Sequence, residues 1–131
     1  MSKILANNTY KICPRGFPHQ GEIYKVYFSK KGKEIGKIRP ALVISNNAQN
    51  EFDDQIMVAP LSSEEIEISR SFEVLIKNTL EIGLDYPSKI LVGYSFAIYK
   101  ELRLIERLGV VSKEIMIQVK LALKITFDLE D

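Results

Sequence analysis

The residues best suited to chemistry lie in one stretch, Gly32-Lys33-Glu34-Ile35-Gly36-Lys37-Ile38-Arg39-Pro40-Ala41-Leu42-Val43-Ile44-Ser45. From Lys30 to Arg39 there are five cations, with Glu34 the one anion. Arg39 stands at the mouth of an apolar strand that opens at a proline, where a missing N–H costs least. A guanidinium is always charged and can hold two phosphate oxygens at once. Ahead of it, Gly32 and Gly36 allow turn conformations closed to other residues. A cationic loop feeding a rigid strand is one way to hold a phosphate. The competing reading is an arginine that only snorkels its charge out of a strand start. The chain has one histidine, His19, so a mechanism needing two imidazoles is excluded. His19 falls in a Pro/Gly-rich arm, a poor place to hold a general base.

Composition narrows the partners. The net charge is +1 over 131 residues, so no global basic field marks the chain as a nucleic-acid binder. Any phosphate binding must be local, and residues 30–39 are the local candidate. The single Cys13 allows no intramolecular disulfide and carries no zinc signature. A reducing compartment, the cytoplasm, is expected. No apolar run approaches the roughly 18 residues of a membrane span, and no membrane association is expected. Met1 to Gln20 lacks the apolar core of a signal peptide. Pro14, Gly16 and Pro18 break regular structure in 1–20, which reads as an arm, and the length argues for a single domain at 21–131.

The elements that must position these residues read mainly as strands. Glu22–Phe28 is rich in β-branched and aromatic residues. Arg39–Ser45 is a near-continuous apolar run, which predicts burial on both faces. Further strands are expected at Gln55–Leu61, Ser71–Ile76, Lys89–Ile98 and Leu104–Val111, with a short helical turn within Asn46–Asp54. The period then becomes helical from Ser112 to Phe127, with Ser112 as N-cap and Glu114 in the first turn. Met116, Val119, Leu123 and Phe127 form one face, joined by Ile115 and Ala122. Ile117, Leu121 and Ile125 form a second stripe on nearly the opposite face. One core can cover one stripe; the other meets either its own sheet or another subunit, and the subunit is the favoured reading. Short strands followed by one helix predict a mainly β domain with a terminal helix (α+β), a small barrel.

The ordered segments Gly21–Val26, Gly32–Ser45, Val58-Ala59-Pro60-Leu61-Ser62-Ser63, Gly83-Leu84-Asp85-Tyr86-Pro87-Ser88 and Arg107-Leu108-Gly109-Val110-Val111-Ser112 resemble the MazF/PemK family of toxin endoribonucleases. The resemblance implies an SH3-like barrel of the CcdB/MazF type and a homodimer. It implies cleavage of single-stranded RNA without metal or cofactor. It also implies a cognate MazE/PemI-like antitoxin that occupies the RNA groove.

RNA can be cut without metal by turning its own 2′-hydroxyl on the adjacent phosphate. The protein must help remove that proton, stabilise charge on the phosphoryl oxygens and protonate the leaving oxygen. By resemblance Arg39 is the catalytic arginine. Ser62 falls where the family usually carries threonine and keeps a hydroxyl for the phosphate, with Ser63 as its neighbour; the alternative is a turn serine. Glu34 matches the loop's acidic position and could orient Arg39 or act as base, or simply be solvated. Lys33 and Lys37 suit backbone phosphate contacts. Where many members carry Asp-Gln-x-Arg, this chain has Gly93-Tyr94-Ser95-Phe96. Tyr94 and Phe96 then offer stacking faces for unpaired bases, or pack into the core or a dimer interface. Three rivals stand beside the nuclease. One is a degenerate toxin-fold protein that binds RNA or an antitoxin without cutting. Another, a poison of DNA gyrase, is disfavoured because the chain has no tryptophan. The third, a structural barrel module that recruits a protein partner, explains the two-striped helix but not the Glu34-to-Arg39 loop.

Overall fold

The computed structural model describes residues 12–28 and 36–129. Strand β1 (Glu22–Phe28) has the bounds its composition predicted. Strand β2 (Lys37–Val43) starts two residues earlier than expected and stops two earlier. Helix α1 (Asn47–Phe52) begins where the Asn46 side chain accepts the N–H of Gln49. Strands β3 (Gln55–Ser62), β4 (Glu73–Ile76) and β5 (Ser88–Leu91) follow. After them come β6 (Phe96–Tyr99), a one-turn helix α2 (Lys100–Arg103), which was not expected, β7 (Leu104–Val110) and the terminal helix α3 (Lys113–Phe127).

The single strand expected over Lys89–Ile98 is instead two strands separated by a 3₁₀ turn, Val92–Tyr94. Register explains the break. β3 pairs Leu61 with Ile90 of β5, but pairs Val58 with Phe96 of β6. Continued along β3, the β6 register would set Leu61 opposite Gly93. The turn takes up that offset, and Ser95 Oγ closes it by donating to the Val92 carbonyl at 2.7 Å.

The seven strands run in the order β4-β5-β3-β2-β1-β7, with β6 also on β3, and the ladders are antiparallel. Among the described residues β4 and β7 do not pair with each other, so the barrel stays partly open. The flank of β7 is met by a loop: the Val110 N–H donates to the Glu81 carbonyl at 2.8 Å. Alternation along the strands feeds two cores. Ile23, Leu42, Ala59 and Leu61 point into one, under Val119 and Ala122 of α3. Tyr24, Ala41, Val43 and Val58 point into the other. Burial on both faces is thus what the unbroken apolar run of β2 encodes.

Residues 12–20, the described part of the expected arm, are built into the domain. Cys13 is fully buried in the second core and Pro18 is buried as well. Burial pushes the Cys13 thiol up from its ordinary pKa. His19, expected in a loose arm, is fixed: its ring stacks on Phe17 at 4.2 Å, and its backbone N–H donates to Glu22 Oε1 at 2.6 Å. The buried Glu22 carboxylate also accepts from Tyr24 Oη at 3.0 Å and from Arg107 Nε at 2.6 Å. Each charge-assisted bond offsets part of the cost of taking the carboxylate out of water.

Helix α3 is capped as expected, with Ser112 Oγ accepting from the Ile115 N–H at 3.2 Å. Its inner face, Val119 and Ala122, is buried. The second stripe is open, with Ile117, Leu121 and Ile125 at 60%, 51% and 53% exposure. The domain's own sheet therefore does not cover it. No helix among the described residues is long and apolar enough to cross a membrane.

Candidate functional site

The ladder between β2 and β3 ends at Ala41–Pro60. Neither Pro40 nor Pro60 has an N–H to extend it. Beyond that point lies a cleft of about 390 Å³, lined by Arg39, Pro40 and Ile38 from β2 and by Leu61, Ser62, Ser63 and Glu64 from β3 and its exit. Lys25 of β1, Leu108 of β7 and the segment from Gly83 to Ser88 complete the lining. The β2–β3 register, continued by two residues, sets Arg39 opposite Ser62 and so puts the two side chains on one face. Arg39 is exposed, and among the described residues nothing pairs with its guanidinium.

Ser62 is half-buried, and its Oγ accepts from the Glu64 N–H at 3.1 Å. That bond uses a lone pair and leaves the hydroxyl hydrogen for another acceptor. The cleft is mixed in charge. Lys25 is partly neutralised by Glu106, at 3.2 Å, while the carboxylates of Glu64 and Asp85 have no ion-pair partner among the described residues. The wall that carries Asp85 is pinned by its backbone. Gly83 N–H donates to Thr79 O at 3.0 Å, and Asn78 Nδ2 donates to Asp85 O at 3.1 Å. Ser88 Oγ donates to Tyr86 O at 3.1 Å. Gly83 also lies so close to β7 that a Cβ on it would stand 2.0 Å from the Leu108 carbonyl oxygen.

The structure brings together Arg39, Ser62 and Ser63 from the residues expected in the site. Lys37 is exposed at the start of β2 but does not line the cleft. Glu34 and Lys33 lie outside the described residues. Tyr94 is exposed on the 3₁₀ turn, edge-on to Phe72 at 6.5 Å between ring centroids, and is not in the cleft wall. Phe96 is half-buried against Phe28 in the second core, which answers for that residue the choice between stacking and packing. Lys25, Glu64, Asp85 and Tyr86 are cleft residues that sequence reasoning missed. The sole signal for two of them was the Gly83–Ser88 segment. Among the described residues no group of three or more His, Cys, Asp or Glu could hold a metal ion.

With this geometry in place, comparison with known proteins is informative. The family described as "PemK-like, MazF-like toxin of type II toxin-antitoxin system" matches residues 19–127. No curated protein sequence matches. Among solved structures the chain is similar to MazF from Deinococcus radiodurans, with a TM-score of 0.71 and 23% identity over 86% of this chain and 98% of that one. It is similar to the Mycobacterium tuberculosis toxin MazF-mt6, with a TM-score of 0.70 and 19% identity over 84% and 99%. It also matches a mycobacterial endoribonuclease solved in complex with its cognate antitoxin, with a TM-score of 0.70 and 19% identity over 87% and 98%. The fold is thus the CcdB/MazF barrel with its terminal helix.

Proposed function

The chain belongs to the family of PemK-like, MazF-like toxins of type II toxin–antitoxin systems, and from that premise we propose that it is an endoribonuclease that cuts single-stranded mRNA without a metal. The observation that carries the reading is that Arg39 and Ser62, from neighbouring strands, share one cleft. The 2′-oxygen attacks the adjacent phosphorus, the bond to the 5′-oxygen breaks, and a 2′,3′-cyclic phosphate and a 5′-hydroxyl result. Arg39 holds two non-bridging oxygens as their charge grows, which lowers the barrier more than it tightens substrate binding. Ser62 donates its free hydroxyl hydrogen to the same phosphate. Glu34 is proposed as the base or as the group that orients Arg39. Lys33 and Lys37 are proposed to hold flanking phosphates, and Ser63 and Tyr94 to contact the strand. The protein acts in the cytoplasm as a homodimer and is held inactive by a cognate MazE/PemI-like antitoxin.

The test is incubation of the purified chain with a single-stranded RNA in EDTA. Cleavage by wild type, and its loss in Arg39→Ala with an unchanged melting temperature, is the expected result. Intact RNA with the wild-type protein would refute the nuclease. A second reading, a non-cleaving binder of RNA or antitoxin, is favoured by Gly93-Tyr94-Ser95-Phe96 standing where many members carry Asp-Gln-x-Arg. RNA that is bound by wild type but left intact would select that reading.

A further inference from the structure

A cleft built solely to grip a phosphate backbone has no use for carboxylates, since they repel it at close range. This one carries Glu64 on the exit of β3 and, on the segment leading into β5, Asp85 beside Tyr86. We infer that Asp85 and Tyr86 form a base-binding subsite selective for guanine, an inference that rests on the RNA reading above. Three observations carry it. The backbone of this segment is held at several points: the carbonyls of Asp85 and Tyr86 accept from Asn78 and Ser88, Gly83 is wedged against Leu108, and Ile82 is buried in the core. Among the described residues the two side chains, by contrast, have no partner, and Tyr86 is 68% exposed. A backbone held at several points with side chains open to a ligand is what preorganised recognition needs, because little conformational freedom is lost on binding. Finally, the pair sits in the same cleft as Arg39 and Ser62, so a base next to a gripped phosphate is within reach.

The chemistry selects the base. An ionised carboxylate offers acceptors alone. Guanine presents two adjacent donors on its Watson–Crick edge, N1–H and N2–H, which two carboxylate oxygens accept in parallel. Adenine and cytosine place one amino donor beside a ring-nitrogen acceptor that repels the second oxygen. Uracil flanks its one donor with two carbonyls. Unpaired RNA exposes this edge, and the Tyr86 ring supplies a stacking face for it.

The test measures fluorescence anisotropy of the full chain with short 2′-O-methyl oligouridines carrying one central guanosine, adenosine, cytidine or uridine. These probes have no attacking hydroxyl and stay intact. Wild type is expected to bind the guanosine probe about tenfold more tightly than the adenosine probe, within the range of a bidentate base contact. Asp85→Asn should bring that ratio near one. Tyr86→Ala should weaken the guanosine probe about fivefold or more, with Tyr86→Phe restoring it. Both side chains are exposed, so the melting temperatures of these variants should match wild type. A guanosine preference absent from wild type, or unchanged in Asp85→Asn, overturns the subsite while probe binding that falls in Arg39→Ala leaves the nuclease reading standing. Failure of wild type to bind any probe overturns both.

Discussion

Gly83→Ala tests how the cleft segment from Gly83 to Ser88 is held. Gly83 has φ +76°, and an added Cβ would meet the Leu108 carbonyl oxygen at 2.0 Å and its carbon at 2.7 Å. These are backbone atoms of β7, so either the loop or the strand must move. A moving loop disturbs the Val110-to-Glu81 and Gly83-to-Thr79 hydrogen bonds, at 2.8 and 3.0 Å. Gly21 is the matched control. Its φ is +93°, but its Cβ would meet the Met116 side chain at 3.5 Å, an ordinary contact. Both substitutions incur the strain of an alanine at positive φ, about 1 kcal/mol or more. Gly83→Ala alone adds overpacking, about 1–3 kcal/mol, and about 1 kcal/mol for each hydrogen bond lost. The excess over Gly21→Ala is therefore about 3–5 kcal/mol. At about 4 °C per kcal/mol for a domain of this size, Gly83→Ala should melt about 12–20 °C below Gly21→Ala by circular dichroism. Equal melting temperatures for the two variants would refute the argument that this contact anchors the wall. Gly109→Ala attacks the same contact from the other side, at 2.3 Å from the Glu81 and Ile82 oxygens. The double variant should thus cost less than the sum of the two single ones.

Other expectations follow from the same geometry. Arg39→Lys keeps the charge but loses the paired donors, so RNA cleavage should fall at least about tenfold; Arg39→Ala should lose about 100- to 1000-fold. Equal rates for wild type and Arg39→Lys would contradict a two-oxygen grip. Burial pushes the Glu73 carboxyl up, but the Arg70 N–H and the Lys89 ammonium outweigh it and hold the group below its ordinary value of 4.5. The stabilisation is therefore complete above that value and lost as the pH falls through the lower folded-state value. Urea titrations should show a decline on the acid side that is shallower in Glu73→Gln. Glu73→Ala, which leaves the buried Lys89 without its carboxylate, should cost about 3 kcal/mol. Leu121→Lys places a charge in the open stripe of α3; if that stripe joins two copies, light scattering should show a dimer in wild type and a monomer in the variant, at an unchanged far-ultraviolet spectrum. A dimer that survives the substitution would place the interface elsewhere.

Local signals account for what was legible. β1 is legible with its observed bounds because its β-branched and aromatic residues fill the two cores, Ile23 in one and Tyr24, Val26 and Phe28 in the other. α3 was legible from Ser112 and the stripe ending in the core at Val119 and Ala122. The break between β5 and β6 was not legible, because Lys89 to Ile98 is apolar enough for one strand. The break is set by which part of β3 each half pairs with. The fixing of His19 likewise depends on Glu22 and Arg107, and Arg107 stands far along the chain.

The amino-acid order by itself determined the strand-forming and helix-forming segments, the cationic approach to Arg39 and the hydroxyl at Ser62. Those properties reside in side-chain type and short-range spacing. Tertiary structure alone decided that Arg39 and Ser62 face one another, because their meeting depends on the β2–β3 register. It alone brought Asp85 and Tyr86 into the same cleft, beside the close approach of Gly83 to β7. It also left Tyr94 outside. Backbone pairing and close approach join residues far apart in the chain, and no local pattern in the sequence encodes which ones.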